Sequence, residues 1–167
     1  QPLRTQMPDI VTAYEAKGDN VGVFFEFLNT GATIAIHQDE RFWPASLSKL
    51  PTAFEVMKKV ENGDWRLSDQ LVLFDQDKSS DFGTLYQEPT GTTFSIEDLL
   101  KALLIQSDDT AHRILVRNTD AADFNDMTSA LGLQDFYNND DDITPKEYSR
   151  LFTSLYSASY LNRADSS

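Results

Sequence analysis

Residues 21–28, Val-Gly-Val-Phe-Phe-Glu-Phe-Leu, constrain the fold most, because in an extended chain they place apolar side chains on both faces. Asn29-Thr30-Gly31 supplies turn chemistry, and Ala32 to His37 alternates, so the two segments read as an antiparallel hairpin. A two-stranded hairpin is marginal alone, and a strand apolar on both faces belongs inside a larger sheet. We therefore expect partner strands from outside the hairpin, supplied by a second chain, by a segment removed in cleavage, or by a longer parent protein.

The rest of the chain reads mainly as helix. Met7, Ile10, Val11 and Tyr14 recur at helical spacing within Thr5 to Lys17, ending at Gly18. Leu50, Ala53, Phe54, Met57 and Val60 line one face of a helix over Ser46 to Val60, with Gly63 as its C-terminal cap. Pro51 cannot donate to the Leu47 carbonyl, so this helix is expected to kink, or to lose about 3 kcal/mol, unless the proline falls in its first turn. Leu71 to Phe74 is a short strand, and Asp75 to Gly91 a long polar loop. Ser95 with Asp98 resembles a capping box opening a helix through Leu104. Ser107-Asp108-Asp109 interrupts, and helices follow through Leu115, over Ala122 to Leu131, and from Thr144-Pro145 onward. Tyr160 to Ser167 reads as the approach to another helix. The fold class is thus mixed α/β (α+β): residues 1–40 form a helix and a β-hairpin, and residues 41–167 a mainly helical subdomain.

Composition removes several functions. Fourteen basic against 27 acidic residues give a net charge of −13, and Lys58-Lys59 is the single basic doublet. Phosphate and anionic lipid are repelled, so neither nucleic acid nor a membrane surface is an expected partner. The absence of cysteine excludes disulfides, thiolate catalysis and Cys-based zinc sites. Apolar runs such as Val21 to Phe25 are too short to span a bilayer. A first residue Gln1 is expected of a processed or trimmed product.

Two short segments carry chemistry. Ser46-Leu47-Ser48-Lys49 sets a hydroxyl and an amine three residues apart at the start of a predicted helix, on one face. A serine there gains from the helix N-terminus, which stabilises an oxyanion, and a neighbouring lysine can take its proton. The same residues also fit an N-cap serine beside a solvated lysine. Sixty residues on, Gln106-Ser107-Asp108-Asp109-Thr110-Ala111 supplies a second hydroxyl and two carboxylates.

Together, in order, spacing and flanks, these segments resemble the S-x-x-K and S-D-N signatures of the class A β-lactamase and penicillin-binding family of serine hydrolases. The resemblance implies a β-lactamase/transpeptidase-like fold whose C-terminal sheet strands are missing from this chain. It implies Ser46 as the nucleophile that forms an acyl-enzyme, Lys49 as its base and Ser107 as the relay of a proton to the leaving nitrogen. The Ser46 N–H would be half of an oxyanion hole. Asp109, with Phe82 and Tyr86 from the preceding loop, would face the substrate, and no cofactor or metal is implied. The substrate would be a β-lactam or a D-Ala-D-Ala-type peptidoglycan stem peptide, the location extracytoplasmic.

The chain departs from the family pattern in three places. Asp109 stands where Asn is usual; an ionised Asp accepts hydrogen bonds and donates none, and beside Lys49 it would keep the ammonium charged. Asp108 or Asp109 could alternatively serve as a helix cap. The K-T-G signature is absent, so an incomplete enzyme is expected, with a second polypeptide completing the sheet along the hairpin. Residues 134–143 contain no Glu to activate a deacylating water, although Asp140, Asp141 or Asp142 could substitute. Acylation without fast turnover is the leading expectation; a working β-lactamase and a non-catalytic cell-wall or partner-binding module are the alternatives. Asp75 to Asp81 spaces oxygen ligands as a calcium loop does, but lacks its Gly and bidentate Glu and reads as a solvated loop; the five oxygen-bearing side chains of Asn138 to Asp142 could hold a cation but read as a polar turn. His37 and His112 are too far apart to form a metal pair.

Overall fold

The computed structural model describes residues 2–133 and 142–166. Among the described residues six α-helices and four strands run in the order α1 Pro2–Glu15, β1 Val23–Phe27, β2 Ala32–Ile36, α2 Lys49–Asn62, β3 Gln70–Val72, β4 Thr93–Ser95, α3 Ile96–Ile105, α4 Asp109–Arg117, α5 Ala121–Leu131 and α6 Pro145–Ser157. β1 pairs antiparallel with β2, Phe25 opposite Ile34, and β3 with β4, Leu71 opposite Phe94. Each sheet has two strands.

Helix α2 is the axis of the molecule. Residues 51–56 are all buried, which a helix achieves only when packed on several sides. Ala53 and Val56 join Leu99, Leu103, Ile114 and Leu115 in a core shared with α3 and α4. Phe54 turns the other way, to Met127 of α5 and Leu151 of α6. Pro51 brings no kink. A 3₁₀ turn over Ala45–Ser48 precedes the helix, so Pro51 falls in the first turn, where its missing N–H matters little. The Leu47 carbonyl that it cannot satisfy accepts the Tyr148 hydroxyl at 3.1 Å instead.

Several expected signals hold. The Ser95 side chain caps α3 by accepting from Asp98 N, and Thr144 with Glu147 forms a reciprocal capping box on α6. Strand β4 went unforeseen, because three residues are too few to show a period. The segment after α6 forms a turn over residues 163–166 and no helix among the described residues. The loop over residues 75–91 is largely exposed, as expected, but anchored: Asp77, 2% exposed, holds Arg117 through Nε and Nη2, both at 2.9 Å, and accepts from Phe74 N. That pair clamps the loop onto α4, and Asp75 accepts from Thr90.

The hairpin is packed on one side. Phe24 and Glu26 lie beside α6, whereas Phe25 and Phe27 on the opposite face are 42% and 49% exposed. In α1 only Val11 is buried; Ile10 and Tyr14 stay exposed.

Candidate active site

Ser46 and Ser107 meet beside the Lys49 amine, one from the turn before α2 and the other from the link between α3 and α4. Ser46 lies in the 3₁₀ turn one turn before Lys49, and Ala45 just before it has φ +46°. Ser107 links α3 to α4 with φ +54°. Left-handed backbone costs an L residue roughly 1–2 kcal/mol, so the flanking structure holds both turns in place. At Ser107 it aims carbonyl and hydroxyl at the same amine: Lys49 Nζ donates to Ser107 O at 2.6 Å and to Ser107 Oγ at 2.9 Å. It also reaches Asp109 Oδ1 at 2.6 Å and Ser46 Oγ at 3.4 Å. Ser107 Oγ in turn donates to Ser46 Oγ at 2.8 Å. Lys49 is 4% exposed, and its three ammonium protons match the three short contacts.

The two adjacent aspartates divide the work. Asp108 is fully buried and caps α4: Oδ1 accepts from Ala111 N, and Oδ2 from Thr84 N and Leu85 N. Gly83 makes this approach possible, since a Cβ there would overlap the Asp108 carboxylate. Asp109 faces Lys49 rather than capping the helix, which resolves the choice that the sequence left open.

A groove of about 420 Å³ opens over these groups, walled by Trp43, Asp81, Phe82 and His112. Phe82 is 61% exposed, with its ring centroid 6.0 Å from Lys49 Nζ. Tyr86, expected beside it, does not line the groove: it sits half-buried in the next 3₁₀ turn, with its hydroxyl toward Gln87 Nε2. His112 went unassigned in the sequence. Its Nε2 lies 3.0 Å from Thr52 Oγ1, and burial, followed by the Lys49 charge, lowers the imidazole to about 4. The useful signal was spacing, because Thr52 follows Lys49, and His112 follows Asp109, by three residues.

No group of three His, Asp or Glu side chains that could hold a metal occurs among the described residues. Asp140 and Asp141, considered as deacylating carboxylates, and most of the 138–142 run lie outside the described residues.

A hairpin beside a helical block, with a serine–lysine–serine network between α2 and α4, defines a β-lactamase/transpeptidase-like fold. The model of the beta-lactamase enzyme family matches residues 2–167, and this chain belongs to that family. It is 27% identical over 110 residues to the beta-lactamase VEB-1 of Pseudomonas aeruginosa, an alignment covering 65% of this chain and 37% of that protein. The beta-lactamase of Sphaerobacter thermophilus superposes with a TM-score of 0.88 at 26% identity, over 97% of this chain and 66% of that one. PBP-A, solved as a mutant's acyl-enzyme complex with penicillin G, superposes at 0.83 with 20% identity, over 99% and 65%. The chain thus spans just under two thirds of these solved structures.

Proposed function

We propose that Ser46 is acylated by an amide of the β-lactam or D-Ala-D-Ala type, and that the acyl-enzyme deacylates slowly. The observation that carries this reading is the Ser46–Ser107–Lys49 network, with heavy-atom separations of 2.8, 2.9 and 3.4 Å. Lys49 must first lose a proton to solvent to act as an amine, and Asp109 Oδ1, 2.6 Å away, opposes this by favouring the charged ammonium. Ser46 Oγ then attacks the carbonyl carbon as its own proton passes to Lys49, directly or through Ser107. When the C–N bond breaks, Lys49 returns that proton through Ser107 Oγ to the leaving nitrogen, so the net transfer runs from Ser46 to the amine product. The Ser46 N–H supplies one oxyanion donor, and Phe82 covers the bound amide; Asp109 faces it only as an acceptor. The absence of Glu from residues 134–143 supports slow deacylation.

Further chain completes the sheet. The open face of β1 and an apolar groove of about 500 Å³ between Val21, Val23, Phe42 and Tyr148 support a strand-bearing segment or second polypeptide there. The acyl donor of this reading is a β-lactam or a peptidoglycan stem peptide, and both support an extracytoplasmic location. A second reading, a non-catalytic module that binds such peptides, is favoured by the Lys49–Asp109 ion pair, which occupies the base.

Intact mass with and without penicillin G tests these readings. A lasting adduct on Ser46 supports the proposal. Rapid loss of penicillin with no adduct supports a working β-lactamase, and neither change supports the binding module.

A further inference from the structure

Two contacts cross between α2 and α4 in the same register. Lys49 Nζ meets Asp109 Oδ1 at 2.6 Å, and three residues further along each helix Thr52 Oγ1 meets His112 Nε2 at 3.0 Å. Residues three apart share a helix face, so these are successive rungs joining the same two faces. Thr52 is 1% exposed, which gives its hydroxyl a strong need for this partner. The imidazole is partly enclosed but open on three sides. It borders the Ser46 groove, an apolar hollow of about 350 Å³ with Val116 and Phe124, and a third of about 360 Å³ beside Arg113 and Arg117. Where neighbours leave room, one directional bond sets the position.

We propose that His112 is a positioning residue: through its hydrogen bond to Thr52 it fixes the register of α4 on α2 and so holds the Asp109 carboxylate on Lys49. The charged groups around it are Lys49 on α2 and Asp109 and Arg113 on its own helix. A neutral ring there leaves Asp109 to Lys49 alone. The consequence for acylation rests on the reading that Ser46 is the nucleophile, whereas the consequence for Lys49 does not.

The test compares Thr52→Val, His112→Leu, their double variant and His112→Gln, whose amide can still reach Thr52. Ile96→Val, in the core away from the groove, matches any modest loss of melting temperature. The first readout is hydrogen exchange of the Lys49 ammonium by ¹⁵N NMR. We expect slow exchange in the parent, His112→Gln and Ile96→Val. Thr52→Val and His112→Leu should exchange about tenfold faster, and the double variant no faster than either, as expected when both changes break one contact. The second readout is the rate of penicillin adduct formation, altered severalfold in the same two variants and unaltered in Ile96→Val. Unchanged ammonium exchange in both variants overturns the proposal. A parent that takes no adduct overturns the acylation reading instead, and ammonium exchange still decides the role of His112.

Discussion

The junction of α2 with α4 and the β1–β2 hairpin are built on opposite principles. At the junction nearly every polar atom has a short partner: Asp108 takes three backbone N–H groups, and Lys49 makes three contacts of 2.9 Å or less. Ala45 and Ser107 hold unfavourable backbone angles beside it. In the hairpin the ladder is regular, yet Phe25 and Phe27 face outward. Buried polar networks lose heavily when one member is removed, whereas exposed apolar side chains have little to lose. The junction should therefore be intolerant of change, and the hairpin tolerant until a partner covers it.

The largest effect is expected from Ser46→Ala, which should abolish the penicillin adduct in an intact-mass spectrum while the melting temperature stays put. Any residual adduct would move the nucleophile elsewhere. Asp108→Ala comes next: three backbone N–H groups lose their acceptor, and urea unfolding should report a loss of about 3 kcal/mol. A loss below about 1 kcal/mol would show that water replaces the clamp.

Acid should find the junction before the hairpin. Burial holds folded His112 near 4, so the unfolded chain binds a proton on this imidazole from pH 6.5 downward while the folded protein does not. Stability from this group is complete above pH 6.5 and falls by up to about 3 kcal/mol on the way to pH 4. Urea unfolding at pH 7.5 and pH 4.5 should show this loss in the parent and a smaller one in His112→Gln. Equal losses in both would remove His112 as the cause.

Asp109→Asn should speed adduct formation about tenfold, equivalent to about 1.4 kcal/mol, by replacing an acceptor-only carboxylate with an amide that can also donate. Unchanged or slower labelling would contradict the placement of Asp109 at the substrate. The smallest effect belongs to the hairpin: Phe27→Thr should shift stability by no more than about 0.5 kcal/mol by urea unfolding. A loss several times larger would mean that this face is already covered.

What could be read in advance follows from how far each signal reaches along the chain. Capping at Ser95 and Thr144, the Gly63 helix stop, the Asn29-Thr30-Gly31 turn and the pairing of Ser46 with Lys49 all operate within a few residues, so local chemistry determined them. Pro51 shows the limit of that range. Its placement in the first turn follows from the 3₁₀ turn just before it, but the Tyr148 hydroxyl that satisfies Leu47 comes from α6, about a hundred residues away. The same holds for Asp108 and Asp109, which are neighbours of one chemical type. Only folding made one the clamp of the Gly83 loop and the other the partner of Lys49, because a carboxylate's role is set by which donors reach it. Tyr86 and Phe82 were equal as sequence, and the 3₁₀ turn over Leu85–Gln87 holds Tyr86 outside the groove that Phe82 lines. By itself the sequence determined the helices and the hairpin, their order and the serine–lysine pair, though not the short strand β4; the tertiary structure decided which distant groups share a hydrogen bond, since such a contact has no period or spacing to betray it.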